Sequence, residues 1–193
     1  MGQKAEYKSA IRSRRLIRQA FTELLKEKPL DKITVADIVR RADINRGTFY
    51  AHYSDVRAVI GQIEDEIIAK MLEIADDAGY RDFCTDPLPA LLKVSKTLEE
   101  NAEFYRTLVN SNGSGLFMTR LMDVYVEHMM SDASIPEEVK TSPGYIAMVQ
   151  YYAGGVINTY SAWFRGRIPL TLDEISFMLS LGIKEGTRLI LDK

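Results

Sequence analysis

Residues 33–55 read ITVADIVRRADINRGTFYAHYSD, and the fold follows from how they are parsed. Thr34 has the side-chain oxygen that an N-cap needs, and Asp37 supplies the acidic partner of a capping-box-like start. Ile33 before the cap and Ile38 after it are spaced as a hydrophobic staple. Asn45 is a second N-cap, opening a segment from Arg46 to Tyr53. Only Ala42-Asp43-Ile44 separates the two helices. Two short helices joined by so tight a turn form a helix-turn-helix, whose second helix is shaped for the major groove of DNA.

That second helix must be slim and polar at its start to enter a groove about 12 Å wide. Arg46 can read guanine edges or grip a phosphate, Gly47 lets backbone approach backbone, and Thr48 can bond a base or touch a thymine methyl. Phe49 is the inward anchor. Tyr50 and His52 have polar tips that can donate to phosphate oxygens. The helix starts at Thr34 and Asn45 add outward N–H groups that favour anions.

Helical spacing continues on both sides. A helix from about Tyr7 to Lys28 carries the apolar stripe Ile17, Ala20, Phe21, Leu24 and Leu25 and is stopped by Pro29. Lys8, Arg12, Arg14 and Arg15 near its start offer charge to flanking phosphates. Ser54 or Asp55 caps a helix to about Asp77 with Val56, Ile60, Ile63, Ile67, Met71, Ile74 and Ala75 on one face. Residues 79–89, 111–115 and 131–143 read as connections, and helices are expected near 87–100, 101–110, 116–131, 144–165 and 172–191. The expectation is an all-α chain of about nine helices. Residues 1–54 would form a three-helix DNA-binding domain, and residues 55–193 a helical dimerisation and ligand-binding domain.

Charge divides along the same line. Residues 1–60 hold 13 Lys and Arg against 7 Asp and Glu, whereas residues 61–193 hold 12 against 20. The net charge of -2 conceals a basic first third that suits DNA and an acidic remainder that does not. The single cysteine, Cys84, excludes an intrachain disulfide and a cysteine-rich metal site. The basic N-terminus lacks the apolar region of a secretory signal. The most apolar run, residues 144–157, is too short to span a bilayer. A cytoplasmic protein with no membrane partner is expected. Only two histidines are present, with no phosphate loop, metal-ligand spacing or nucleophile elbow, so neither an enzyme, a metal nor a cofactor is expected.

The run Gly47-Thr48-Phe49-Tyr50-Ala51-His52-Tyr53 resembles the Gly-Thr-[Phe/Leu]-Tyr-x-His-Phe signature of TetR-family transcriptional regulators. Ile33-Thr34-Val35-Ala36-Asp37-Ile38 is similar to that family's second-helix opening. The likeness covers roughly residues 8–60. Where the family often has a phosphate-gripping Lys after the Asp55 position, this chain has Val56, with Arg57 next as the substitute. Asn45 stands where Ser is common and keeps the cap. The resemblance implies DNA contacts at Lys8, Arg12, Thr34, Asn45, Arg46, Gly47, Thr48, Tyr50, His52 and Arg57.

The remainder is similar to the family in plan, and the run Tyr151-Tyr152-Ala153-Gly154-Gly155 with Trp163 resembles the branch that includes regulators of dihydroxyacetone kinase genes. The resemblance implies a homodimer whose last two long helices pair across a twofold axis, with Gly154, Gly155, Gly182 and Gly186 allowing close approach. Candidate ligand contacts are Tyr105, Phe117, Tyr125, His128, Tyr152 and Trp163, which join apolar bulk to polar tips. Aromatic residues at helical spacing also build ordinary cores, and most of these suit that role too. The function implied is a homodimeric repressor released from a palindromic operator by a small effector. The alternative is a DNA-binding co-activator whose C-terminal domain docks a protein instead.

Overall fold

The first of these expectations to be met are the caps. Thr34 Oγ1 accepts from the amide of Asp37 at 3.2 Å, and Asp37 Oδ2 accepts from the amide of Thr34 at 3.0 Å. Both halves of a capping box are thus made at the start of the second helix. Asn45 Oδ1 accepts from the amide of Thr48 at 2.7 Å, and Asp55 Oδ1 from that of Ala58 at 2.8 Å. Of the two candidates for the fourth helix, Asp55 therefore caps it.

The computed structural model describes the backbone of residues 2–111 and 114–191, and the side chains of 9–111 and 115–187. The Lys8 side chain, with Asn112 and Gly113 of the expected connection, lies outside the described residues. Among the described residues the chain is all helical. The helices are α1 (Gly2–Glu27), α2 (Val35–Arg41), α3 (Arg46–Tyr50), α4 (Val56–Ala78), α5 (Tyr80–Thr85), α6 (Leu88–Glu100), α7 (Ala102–Asn110), α8 (Ser114–Ser131), α9 (Glu137–Lys140), α10 (Pro143–Phe164) and α11 (Leu172–Leu191). No described helix is long and apolar enough to cross a membrane.

The chain divides into two compact units between Glu66 and Ile67, inside α4. In the first unit, α1, α2 and α3 pack on one another. The whole predicted stripe of α1 is buried, together with Ile33, Ile38, Phe49, Tyr53, Val59 and Ile63. Ile33 and Ile38 are 6% and 0% exposed, as a staple requires. The turn between α2 and α3 places Asp43 at φ 51°, a left-handed conformation that Asp tolerates better than most residues.

In the second unit α11 lies along α6, α5 and α10, and α10 also packs on α7, α8 and α9. Three buried hydroxyls join α6, α10 and α11. Ser95 Oγ is 2.6 Å from Ser176 Oγ, and Tyr160 Oη lies 3.1 Å from the first and 3.2 Å from the second. The carbonyls of Leu172 and Leu91 accept from this group at 3.1 and 3.2 Å.

Two helices appear where connections were expected. α5 forms because Gly79, at φ 67°, reverses the chain at the end of α4 and lets a new helix begin, burying Cys84. α9 is a single turn after Pro136, next to the fully buried Ile135. Both are too short to be stable by themselves and form because neighbouring residues are buried.

Candidate nucleic-acid interface and ligand cavity

The surface of the first unit is set by what its core takes away. Phe49 is fully buried and packs edge-on against Tyr50 at 5.5 Å and tilted on Tyr53 at 5.9 Å. With α3 pinned by that ring, Asn45, Arg46, Gly47 and Tyr50 are left exposed and Thr48 half-buried. Thr48 Oγ1 also donates to Asn45 Oδ1 at 3.0 Å. Its single proton is thereby spent, so outward it offers lone pairs and a methyl group. A Cβ on Gly47 would stand 3.2 Å from Asn45 Oδ1, so glycine here spares the cap from crowding.

The basic residues of this unit fall into two sets. Lys28 Nζ meets Asp37 Oδ2 at 2.5 Å and Arg40 Nη2 meets Asp37 Oδ1 at 2.8 Å. Arg41 holds Glu27 at 2.7 Å and Glu23 at 3.4 Å, and Arg18 holds Glu66 at 2.5 Å. The hydrogen bonds from Lys28 and then Thr34 keep the Asp37 carboxyl well below the usual range. These cations tie helices together. Arg12, Arg14, Arg15, Arg46 and Arg57 are exposed and form no ion pair among the described residues. Arg14 is near enough to His52 to help lower its pKa, after burial, which is the larger cause. The structure thus brings Asn45, Arg46, Gly47, Thr48, Tyr50 and His52 together on and just beyond α3, with Arg14 close by. Thr34 is exposed at the start of α2, Arg12 lies on α1, and Arg57 is exposed on α4 while Val56 beside it is half-buried.

Tyr53 shows something the sequence reading did not. It is 4% exposed, and its hydroxyl is buried without a hydrogen-bond partner. Burial raises its pKa.

The second unit holds a partly open cavity of about 170 Å³. Tyr105, Phe117, Tyr125, His128 and Tyr152 line it, among leucines, isoleucines and methionines from α4, α6, α7, α8 and α10. Trp163 does not line it. Its Nε1 donates to the carbonyl of Leu170 at 2.7 Å and its ring faces the Arg106 guanidinium at 6.0 Å. Tyr80, Asp132, Tyr160 and Ser161 also reach the lining, residues that spacing alone did not single out.

The four glycines divide. Gly186 lies directly under the Tyr152 ring and serves packing within the chain, whereas a Cβ on Gly154 would make ordinary contact with Met122 Cε at 3.7 Å. Gly155 and Gly182 face open space. Near them an apolar face is exposed: Tyr151 at 74% on α10, and Phe177 at 53%, Met178 at 60% and Leu181 at 46% on α11. These exposed apolar residues sit on the two longest helices of the unit and make α10 and α11 the candidate location of an interface.

Two family models match. "Bacterial regulatory proteins, tetR family" matches residues 17–62 and "Transcriptional regulator C-terminal region" matches residues 85–184, more than half of the chain. Among curated proteins, the chain is 39% identical over 57 residues to the HTH-type transcriptional regulator YvdT of Bacillus subtilis, covering 30% of this chain and 29% of that protein. It is 27% identical over 101 residues to DhaS, the HTH-type dhaKLM operon transcriptional activator of Lactococcus lactis, covering 52% of this chain and 51% of that protein. The chain thus spans about half or less of the length of these curated relatives. A TetR transcriptional regulator from Streptococcus agalactiae has the same fold, with a TM-score of 0.65 at 19% identity over 94% of this chain and 99% of that one.

Proposed function

The chain belongs to the TetR family of bacterial transcriptional regulators, and on that premise we propose that it is a homodimeric repressor released from a palindromic operator by a small ligand. Regulators of this family act on DNA without catalysing a reaction. The observation that carries the reading is α3 itself. A five-residue helix is held rigid by buried Phe49 beneath and the Asn45 cap above, and its polar side chains are left to solvent. Arg46 and Thr48 read base edges, Tyr50 and His52 donate to phosphate oxygens, and Arg12, Arg14, Arg15 and Arg57 neutralise flanking phosphates.

Two copies join through the exposed face of α10 and α11, around Tyr151, Phe177, Met178 and Leu181, with Gly155 and Gly182 admitting close approach. Such an interface is self-complementary, so the operator it serves is palindromic, with half-sites about one helical turn apart or a little more. The effector occupies the cavity of the second unit. It must bind the DNA-competent and DNA-incompetent states with different affinity, or it moves nothing. The similarity to DhaS, an activator by name, supports a second reading, in which the second unit docks a protein and the output is activation. The cavity favours the ligand.

The test is fluorescence anisotropy on the DNA upstream of the gene and on random duplex of equal length. Tyr50→Phe is expected to weaken binding on both. Thr48→Ala is expected to weaken the upstream DNA selectively. Equal losses on both duplexes for the two variants would sink the division of roles.

A further inference from the structure

We infer that the cavity of the second unit takes a neutral, largely apolar molecule about the size of one substituted ring, whose single hydrogen-bonding group meets the Tyr125 hydroxyl. The inference deepens the ligand-release reading above and rests on it.

Size comes first. The cavity holds about 170 Å³. An apolar cavity of about 150 Å³ is enough for benzene. Charge comes next. No Lys or Arg is among the lining residues. Of the two ionisable side chains other than tyrosine, His128 Nε2 lies 2.9 Å from Asp76 Oδ1, and Asp132, the one lining carboxylate a cation could meet, accepts from the amide of Ser134 at 2.7 Å and already has the charges of His128 and Lys140 acting on it. A carboxylate or phosphate would be buried with no positive partner, which is costly. A small polyol would leave several hydroxyls facing hydrocarbon.

The hydroxyls of the wall then narrow the choice. Tyr160 belongs to the group it shares with Ser95 and Ser176, and Tyr152 Oη donates to the carbonyl of Gly182 at 3.2 Å. Tyr80 Oη has no nitrogen or oxygen partner, but it is completely buried against Cys84 and so out of a guest's reach. The Tyr105 hydroxyl also has no hydrogen-bond partner among the described residues, and its ring packs on Phe164 at 5.8 Å, so Tyr105 is the competitor that the experiment below must separate from Tyr125. Tyr125 lies in the middle of the α8 stripe that lines the cavity, between Leu121 and His128. Its hydroxyl has no hydrogen-bond partner among the described residues. Burial pushes its pKa up to about 12, so it stays protonated and able to donate. An unspent donor deep in an apolar wall asks for an acceptor on an apolar guest.

The experiment is calorimetric titration of the full chain, without DNA, using four probes of one scaffold and one polar control. The probes are 4-methylphenol, toluene, 4-methylbenzoate and 4-methylbenzylammonium, and the control is glycerol. The expected result is binding of 4-methylphenol and toluene, at least tenfold weaker binding of both ions, and none of glycerol. Tyr125→Phe should weaken 4-methylphenol about fivefold, one hydrogen bond's worth, and leave toluene within twofold. Four results would overturn the inference. They are no binding by any probe, an ion binding as tightly as the phenol, equal loss of phenol and toluene in Tyr125→Phe, or loss in Tyr105→Phe instead. Anisotropy on the upstream DNA with 4-methylphenol present then tests release separately. An unchanged DNA affinity there, with the calorimetry as expected, removes the release reading and leaves the cavity's ligand class standing.

Discussion

The partition of the basic residues of the first unit makes a quantitative demand on DNA binding. Five arginines per chain, Arg12, Arg14, Arg15, Arg46 and Arg57, lack an ion pair among the described residues, whereas Arg41 is held by Glu23 and Glu27. Each phosphate neutralised contributes about -0.9 to the slope of log K against log salt. If all five arginines of both protomers engage, the slope on mixed-sequence duplex approaches about -9. Arg12→Ala removes one contact per protomer and should flatten the slope by about 1.8. Arg41→Ala deletes a cation that already serves two carboxylates, so the slope should stay within about 0.5 of the parent. Anisotropy titrations across a salt series on a random 30-base-pair duplex read this directly, at a temperature where circular dichroism finds both variants folded. If Arg41→Ala flattens the slope as much as Arg12→Ala, the division into structural and DNA-facing cations is wrong.

Other outcomes follow from single contacts. Tyr53→Phe removes a buried hydroxyl that has no partner, so it should stabilise the first unit by about 1 kcal/mol, seen as a higher urea midpoint; a lower midpoint would mean the hydroxyl is satisfied. Asp37, whose pKa is lowered by folding, contributes stability that is complete above its unfolded pKa and fades as pH falls toward the folded one. Asp37→Asn should therefore remove part of the acid sensitivity of unfolding below about pH 4, and an unchanged acid limb would count against the Lys28–Asp37 link. Phe177→Lys with Met178→Glu places charges on the apolar face of α11 and should yield monomers by sedimentation; dimers of undiminished affinity would move the interface elsewhere.

The parts of the fold that were legible are those fixed within four residues. The caps at Thr34 and Asn45, the stop at Pro29 and the inward face of α1 depend on local spacing, and each stands where the sequence put it. α5 and α9 were not legible, because each is a few mostly polar residues made helical by burial at Cys84 and Ile135. Val59 was missed for a related reason. A stripe drawn through Val56, Ile60 and Ile63 fits helical spacing about as well, yet Val59 is the residue with no exposure. On and beside α3 the sequence named residues that the structure leaves exposed or half-buried, but not which neighbouring cations were already committed. In the second unit it named five of the cavity-lining aromatic and His residues and also Trp163, which packs elsewhere, since periodicity marks an apolar face without saying whether a void, a helix or a partner lies against it.

The trio Ser95, Tyr160 and Ser176 has a consequence for how this chain can change over generations. The three hydroxyls have only three protons among them and more neighbouring oxygens than those protons can serve at once. The group can shuffle its protons among alternatives, but losing one member removes the buried hydrogen bonds that member made and leaves the other two with fewer partners. Stepwise drift through Ala or Phe at one position passes through a weakened intermediate, whereas exchanging all three for apolar residues of matched volume does not. Related chains should therefore carry the trio whole or not at all, and a reader comparing them could use it as a lineage marker that changes as a block.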